Sequence, residues 1–380
     1  MKEVIVHIGA HKTGTTTIQK SLHGYDDGRT KYARFPQSNH SIPMRSIFQE
    51  MFDQKYHWKQ LGWTKQELEK YQRTNRDILH AGLRDNKTER LIISGEGICH
   101  LSYDEKQSMI KEIHAVGAKT RIIYFARDPN NSVVSVMQQR AKEGRSVHLA
   151  VRPNFKAEVG DFLDLLPAEN IHVCDFNAVV KSHDLLEFFG NLIGIKLPKI
   201  SSKNTSLSAQ GLALINIVNN LPFSTTRNPA LLSARHKLVS RIMNTFSIAA
   251  GYDKIDPKVF TTLLSDDTED QCDWLKDKFR IAYSVPINRS HQLSIDDYLE
   301  NSLKNHEAQI AKIFRKLDLE LSPQKNLQEN IMNAFLDLLI RGAANKHNTT
   351  LLVRARQKIQ KILQNHGGIV GQKIIEWRNR

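Results

Sequence analysis

The residues best placed to do chemistry come first in the chain: Gly9-Ala10-His11-Lys12-Thr13-Gly14-Thr15-Thr16-Thr17, between the apolar run Val4-Ile5-Val6-His7-Ile8 and the segment Ile18-Gln19-Lys20-Ser21-Leu22. A strand, a glycine-bearing turn and a helix start, in that order, aim unpaired backbone N–H groups and the positive end of a helix dipole into one small volume. That volume suits an oxyanion. Against the nucleotide-triphosphatase template G-x-x-x-x-G-K-[ST], Gly9 and Gly14 keep their spacing and Thr16 keeps the hydroxyl, but Thr15 stands where the lysine belongs. The loop's lysine is Lys12, displaced toward the crest.

Two further segments carry chemistry. Arg121-Ile122-Ile123-Tyr124-Phe125-Ala126 reads as a strand, followed by Arg127, then Asp128 as helix N-cap and Pro129 at the first helical position. Arg127 therefore sits at the carboxyl edge of a sheet, where open α/β folds bind ligands. Ser135 lies two turns into that helix, so its hydroxyl can join the guanidinium on one phosphate. The strand Leu91-Ile92-Ile93-Ser94 ends in Gly95-Glu96-Gly97, which puts Glu96 on the same rim, with His100 shortly after.

The run Lys12–Thr16 resembles the 5'-phosphosulfate-binding loop of sulfotransferases that use 3'-phosphoadenosine-5'-phosphosulfate (PAPS). The strand–Arg127–helix–Ser135 arrangement is similar to their 3'-phosphate-binding motif, and the likeness extends over residues 1–220. The segment Asn204-Thr205-Ser206-Leu207-Ser208 looks like one found in bacterial-type members, which implies nucleotide contacts from Asn204 and Ser206. The glycine- and basic-rich C-terminal loop of the cytosolic animal members has no recognisable counterpart.

The resemblance implies a P-loop-like fold and an in-line displacement at sulfur, without a metal, that leaves 3'-phosphoadenosine-5'-phosphate. Lys12 would neutralise the leaving oxygen, beside Thr13, Gly14, Thr15, Thr16 and Thr17. The proton acceptor is Glu96 by analogy with carbohydrate sulfotransferases, with His100, placed like the histidine of small-molecule members, and His11, which borders Lys12, as the alternatives. The acceptor expected is a hydroxyl or amine, foremost of a glycan. Two readings from other classes stand beside this one: a P-loop kinase using ATP and Mg, and a non-catalytic anion-binding protein gripping its partner through Arg354, Arg356, Lys358 and Lys361. Thr15 in the lysine position speaks against the first, and nothing resembling a nucleic-acid-reading motif supports the second.

The elements that must position these groups alternate short apolar runs with helical stretches. The strands expected are Val4–Ile8, Leu91–Ser94, Arg121–Ala126 and Ile171–Cys174, each mostly apolar, as in a parallel sheet covered by helices on both faces. Tyr25 to Asn86 reads as a polar insertion near the acceptor mouth with one helix, Lys65–Leu83. Ser206–Ser208 opens an apolar helix closed by Asn219-Asn220-Leu221-Pro222. The expectation is an α/β domain over residues 1–295 and a helical, basic extension over 296–380, with an amphipathic last helix, Leu351–Leu363, suited to docking a second copy.

The net charge is +14, from 54 Lys and Arg against 40 Asp and Glu, which favours anionic partners. Much of it lies in residues 341–380, where nine Lys and Arg face one acid, Glu376. Three cysteines, Cys99, Cys174 and Cys272, are odd in number and widely spaced, which argues against a disulfide framework and a zinc cluster. With no apolar stretch of membrane-spanning length and no signal-peptide pattern, the sequence leads one to expect a cytoplasmic protein.

Overall fold

The computed structural model describes residues 2–50, 62–199, 206–220, 229–284, 293–304, 306–315, 322 and 324–344. Its centre is a five-stranded, all-parallel sheet: β1 (Glu3–His7), β2 (Thr30–Tyr32), β3 (Arg90–Ser94), β4 (Lys119–Ala126) and β5 (Ile171–Asp175), in the order β2-β3-β1-β4-β5. The expected α/β class is what the chain adopts. Four of these strands are those read from the apolar runs, each within two residues of the expected ends.

The fifth, β2, falls inside the stretch read as an insertion, which also holds a helix at Ser41–Phe48. That stretch is therefore partly sheet edge. Three residues with a lysine at their centre give no hydrophobic run to detect; pairing with Arg90–Ile92 of β3 is what makes them a strand.

The period-two rule places alternate β1 side chains in different cores. Val4, Val6 and Ile8 enter one with Leu91, Ile93, Ile122 and Tyr124, covered by the helices Lys65–Arg84, Tyr103–His114 and Thr268–Phe279. Ile5 enters the other with Ile18, Leu22, Ile92, Ile123, Phe125, Leu186 and Phe189, covered by Thr15–Leu22 and Leu185–Ile193. Capping boxes start two helices of the first group: Thr64 with Glu67, and Ser102 with Glu105.

The chain divides into two compact units that interleave in sequence. The first, containing the sheet, comprises Met1–Ser132, Arg152–Lys203 and Leu264–Pro286. The second comprises Val133–Val151, Asn204–Leu263 and Ile287–Arg380. Residues 133–151 and 204–263, which the sequence reading kept with the α/β domain, thus group with the C-terminal helices.

Within the second unit, Pro229–Thr245 packs against Ala209–Asn220 and Leu327–Ala344. There the buried Arg235 donates to the carbonyls of Ala141 and Lys142 and to Asn219 Oδ1. The expected helix Leu351–Leu363 and the basic tail beyond Ala344 lie outside the described residues, as does Pro222. Among the described residues, no helix is long and apolar enough to cross a membrane.

Candidate functional site

With β1 between β3 and β4, the carboxyl ends of three adjacent strands deliver three segments to one rim of the sheet. These are the loop after Ile8, the turn beginning at Glu96, and Arg127. Crevices at the carboxyl edge, where successive connections leave a central strand in opposite directions, are where open α/β folds bind ligands.

The loop extends the β1 ladder by three bonds before it departs. The amides of Ile8 and Ala10 donate to the carbonyls of Ile123 and Phe125 at 3.0 and 3.1 Å, and the Phe125 amide donates to the Gly9 carbonyl at 2.7 Å. Three residues then take left-handed backbone: Gly9 at φ 110°, Lys12 at φ 65° and Gly14 at φ 73°. Gly14 is the N-cap of the helix Thr15–Leu22, which has no side-chain cap and no acid in its first turn, so its positive end carries no neutralising group of its own.

At two of these glycines a side chain is disfavoured. A Cβ on Gly9 would stand 3.1 Å from the Glu96 Cβ, and one on Gly14 would stand 2.2 Å from Leu185 Cδ2. Gly14→Ala is expected to cost about 2 kcal/mol, from left-handed backbone strain of about 1–2 kcal/mol plus displacement of Leu185. Its denaturant midpoint measured against wild type checks this, and an unchanged midpoint would contradict it.

The threonines divide by exposure. Thr13 is buried and its hydroxyl donates to the Ala10 carbonyl at 2.7 Å, bracing the crest. Thr15 is also buried, Thr17 half-buried and Thr16 exposed. Lys12 and His11 are exposed at the crest.

Arg127 connects two of the three segments. One guanidinium nitrogen donates to the carbonyl of Lys12, and the group lies over the Phe176 ring at 5.6 Å. Burial lowers its pKa from the ordinary guanidinium value, with Asp128 opposing. Asp128 starts the helix Pro129–Lys142 as expected, its carboxylate accepting from the Asn130 amide at 2.9 Å.

Glu96 opens a 3-10 turn, Glu96–His100, and each of its carboxylate oxygens accepts from a side-chain amide: Gln19 Nε2 on one and Asn39 Nδ2 on the other, both at 3.0 Å. The group is thereby fixed in orientation over Gly9. Sequence reasoning missed Gln19 and Asn39. Gln19 stands one turn along the helix from Thr15 and so on its face, a signal that could have been used; Asn39 left none.

His100 sits at the end of the 3-10 turn, not on an α-helix face, and its Nε2 lies 3.1 Å from Nε2 of His11 with the two rings stacked. The residue is open to solvent on one side, while a ring nitrogen lies near the buried Cys99 and the half-buried Glu158. Burial of that side, followed by the charges of His11, Arg45 and Lys106, holds its pKa down to about 4 against the pull of Glu96. It is neutral at pH 7 and can accept a proton.

Ser135, Ser206 and Asn204 are the expected residues that remain. Ser135 is half-buried on the helix Pro129–Lys142, beyond Ser132, where the first unit's share of that helix ends. Ser206 is exposed in the second unit, where its carbonyl accepts from Ile248. Asn204 lies outside the described residues.

No protein-family model matches the chain, and no curated protein matches its sequence.

Proposed function

We propose that the chain is a sulfotransferase that takes a sulfuryl group from PAPS and passes it to a hydroxyl or amine, foremost of a carbohydrate. The observation that carries this reading is the bond from Arg127 to the Lys12 carbonyl. It ties together the two segments that resemble the 5'-phosphosulfate and 3'-phosphate motifs, which lie far apart in sequence.

In this reading the PAPS 5'-phosphosulfate lies across the Thr15–Leu22 N-terminus, whose first turn holds no acid and whose first amides have no partner within the helix. Lys12 meets the charge that grows on the bridging oxygen as the S–O bond breaks. The acceptor oxygen or nitrogen attacks sulfur in line, its proton passes to a base, and 3'-phosphoadenosine-5'-phosphate departs. Thr15 offers no cation for the γ-phosphate of a triphosphate, which disfavours the ATP-and-Mg alternative.

Glu96 is the base in this proposal, because its carboxylate is held on the rim by Gln19 and Asn39. Replacement Glu96→Gln keeps the shape and removes the basicity. It is expected to lower kcat by about 100-fold or more while affinity for 3'-phosphoadenosine-5'-phosphate changes little. Transfer from radiolabelled PAPS to a panel of glycans and amino sugars, with both proteins, tests the reaction and the role together. Transfer with unchanged kcat in Glu96→Gln would move the role to His100 or His11, and no transfer to any acceptor would count against the reaction.

A further inference from the structure

We infer that Cys99, His100 and Glu158 form a binding site for a thiophilic divalent transition metal of the zinc type. The Cys99 sulfur, a His100 ring nitrogen and a Glu158 carboxylate oxygen all lie within 4.8 Å of one another. Sequence spacing hid the group: Cys99 and His100 end the 3-10 turn after β3, whereas Glu158 comes from the turn Lys156–Gly160. One thiolate, one imidazole and one carboxylate make a borderline-soft donor set that suits zinc or cobalt(II) and not magnesium or calcium.

The surroundings match what a metal ligand set needs. Cys99 is 2% exposed, and Tyr124, fully buried, donates its hydroxyl to one Glu158 oxygen at 2.5 Å. That bond orients the carboxylate, as outer partners steer metal-binding carboxylates. The Cys99 thiol donates to the Glu96 carbonyl at 2.9 Å; on binding, the metal takes the place of that proton, which leaves to solvent, and an S–metal bond replaces S–H.

His11, whose Nε2 lies 3.1 Å from Nε2 of His100, stands beside this group without being one of its three members. The nearby cation, Lys106, is already engaged by Asp161 at 2.7 Å and by the Ala157 carbonyl. The site rests on this geometry and not on the sulfuryl-transfer reading.

The test titrates the full-length chain, stripped of metal by a chelator and kept reduced with a phosphine, with cobalt(II), following the thiolate-to-cobalt absorption in the near ultraviolet. Zinc competition then gives its affinity. The expected result is one equivalent bound with a thiolate band that is absent in Cys99→Ser, and affinity at least about 10-fold weaker in Glu158→Gln and in His100→Ala. Circular dichroism of each variant separates loss of the site from loss of the fold, and Cys99→Ala serves where the serine variant does not fold. The inference is overturned by absence of a thiolate band in wild type, by a band that persists in the folded Cys99 variant through Cys174 or Cys272, or by wild-type affinity in the other two variants.

Discussion

Arg127→Ala is expected to weaken binding of 3'-phosphoadenosine-5'-phosphate by at least about 30-fold, since removing one partner of a partly desolvated charge pair costs about 2–5 kcal/mol. Two losses combine. The proposed phosphate contact goes with the guanidinium, and the Lys12 carbonyl loses its donor, so the crest is no longer tethered to the end of β4. Arg127→Lys separates the two. It restores a positive charge but neither the planar fork nor the stacking over Phe176, and is expected to recover only a small part of the affinity. Calorimetric titration of the three proteins is the check, and an alanine variant that binds as wild type does would remove Arg127 from the site.

Acidification is expected to unfold the protein, with a steep loss of stability between about pH 6 and pH 4. His7 and His40 are fully buried, and burial lowers their pKa values to about 4 and about 3. His7 shares a hydrogen bond with Ser94 at 2.8 Å, lies against the rings of Phe125 and Phe189, and feels the opposing charge of Glu96. His40 accepts from the Ser94 amide at 3.3 Å, stacks on Tyr32, meets Phe35 edge-on, and is lowered further by His23. Nε2 of each has no hydrogen-bond partner.

The unfolded chain takes up these protons near pH 6.5, whereas the folded chain does so only near 4 and 3. Between those limits the unfolded state binds more protons, so stability falls as pH falls, by about 1.4 kcal/mol per pH unit for each histidine. Over the window this is on the order of 3 kcal/mol apiece, a large share of the roughly 5–15 kcal/mol typical of a folded domain. Asp128 and Glu158, whose pKa values burial raises, act in the opposite sense and flatten the curve. Urea unfolding at several pH values isolates one histidine: His40→Gln is expected to reduce the slope by about one proton, whatever it does to stability at pH 7. An unchanged slope would contradict the assignment.

Much of the first unit was legible in the sequence because its determinants are local. Val4–Ile8, Leu91–Ser94 and Arg121–Ala126 are mostly apolar runs, as a strand covered on both faces requires, and each is a strand here. Gly9 and Gly14 marked a turn between strand and helix, and both take left-handed backbone there. Asp128 and Pro129 announced a helix start.

What escaped depends on partners distant in sequence. Thr30–Tyr32 becomes a strand only through β3, Glu96 is fixed by Asn39 and Gln19, and Glu158 reaches Cys99 and His100 across about sixty residues. Contacts of this kind leave no periodic trace in a single chain. Residues 204–263 group with the C-terminal helices for the same reason. An apolar helix such as Ala209–Asn220 shows that it must be buried, not which neighbour buries it.

The proposed function requires the rim formed by the loop, Glu96 and Arg127 to bind an adenosine 3',5'-bisphosphate donor. Calorimetric titration of the wild-type chain with 3'-phosphoadenosine-5'-phosphate, beside ADP and ATP with and without magnesium, tests it most directly. Selective, metal-independent binding of the bisphosphate is the result predicted, whereas preference for ATP with magnesium, or no nucleotide binding at all, would contradict it.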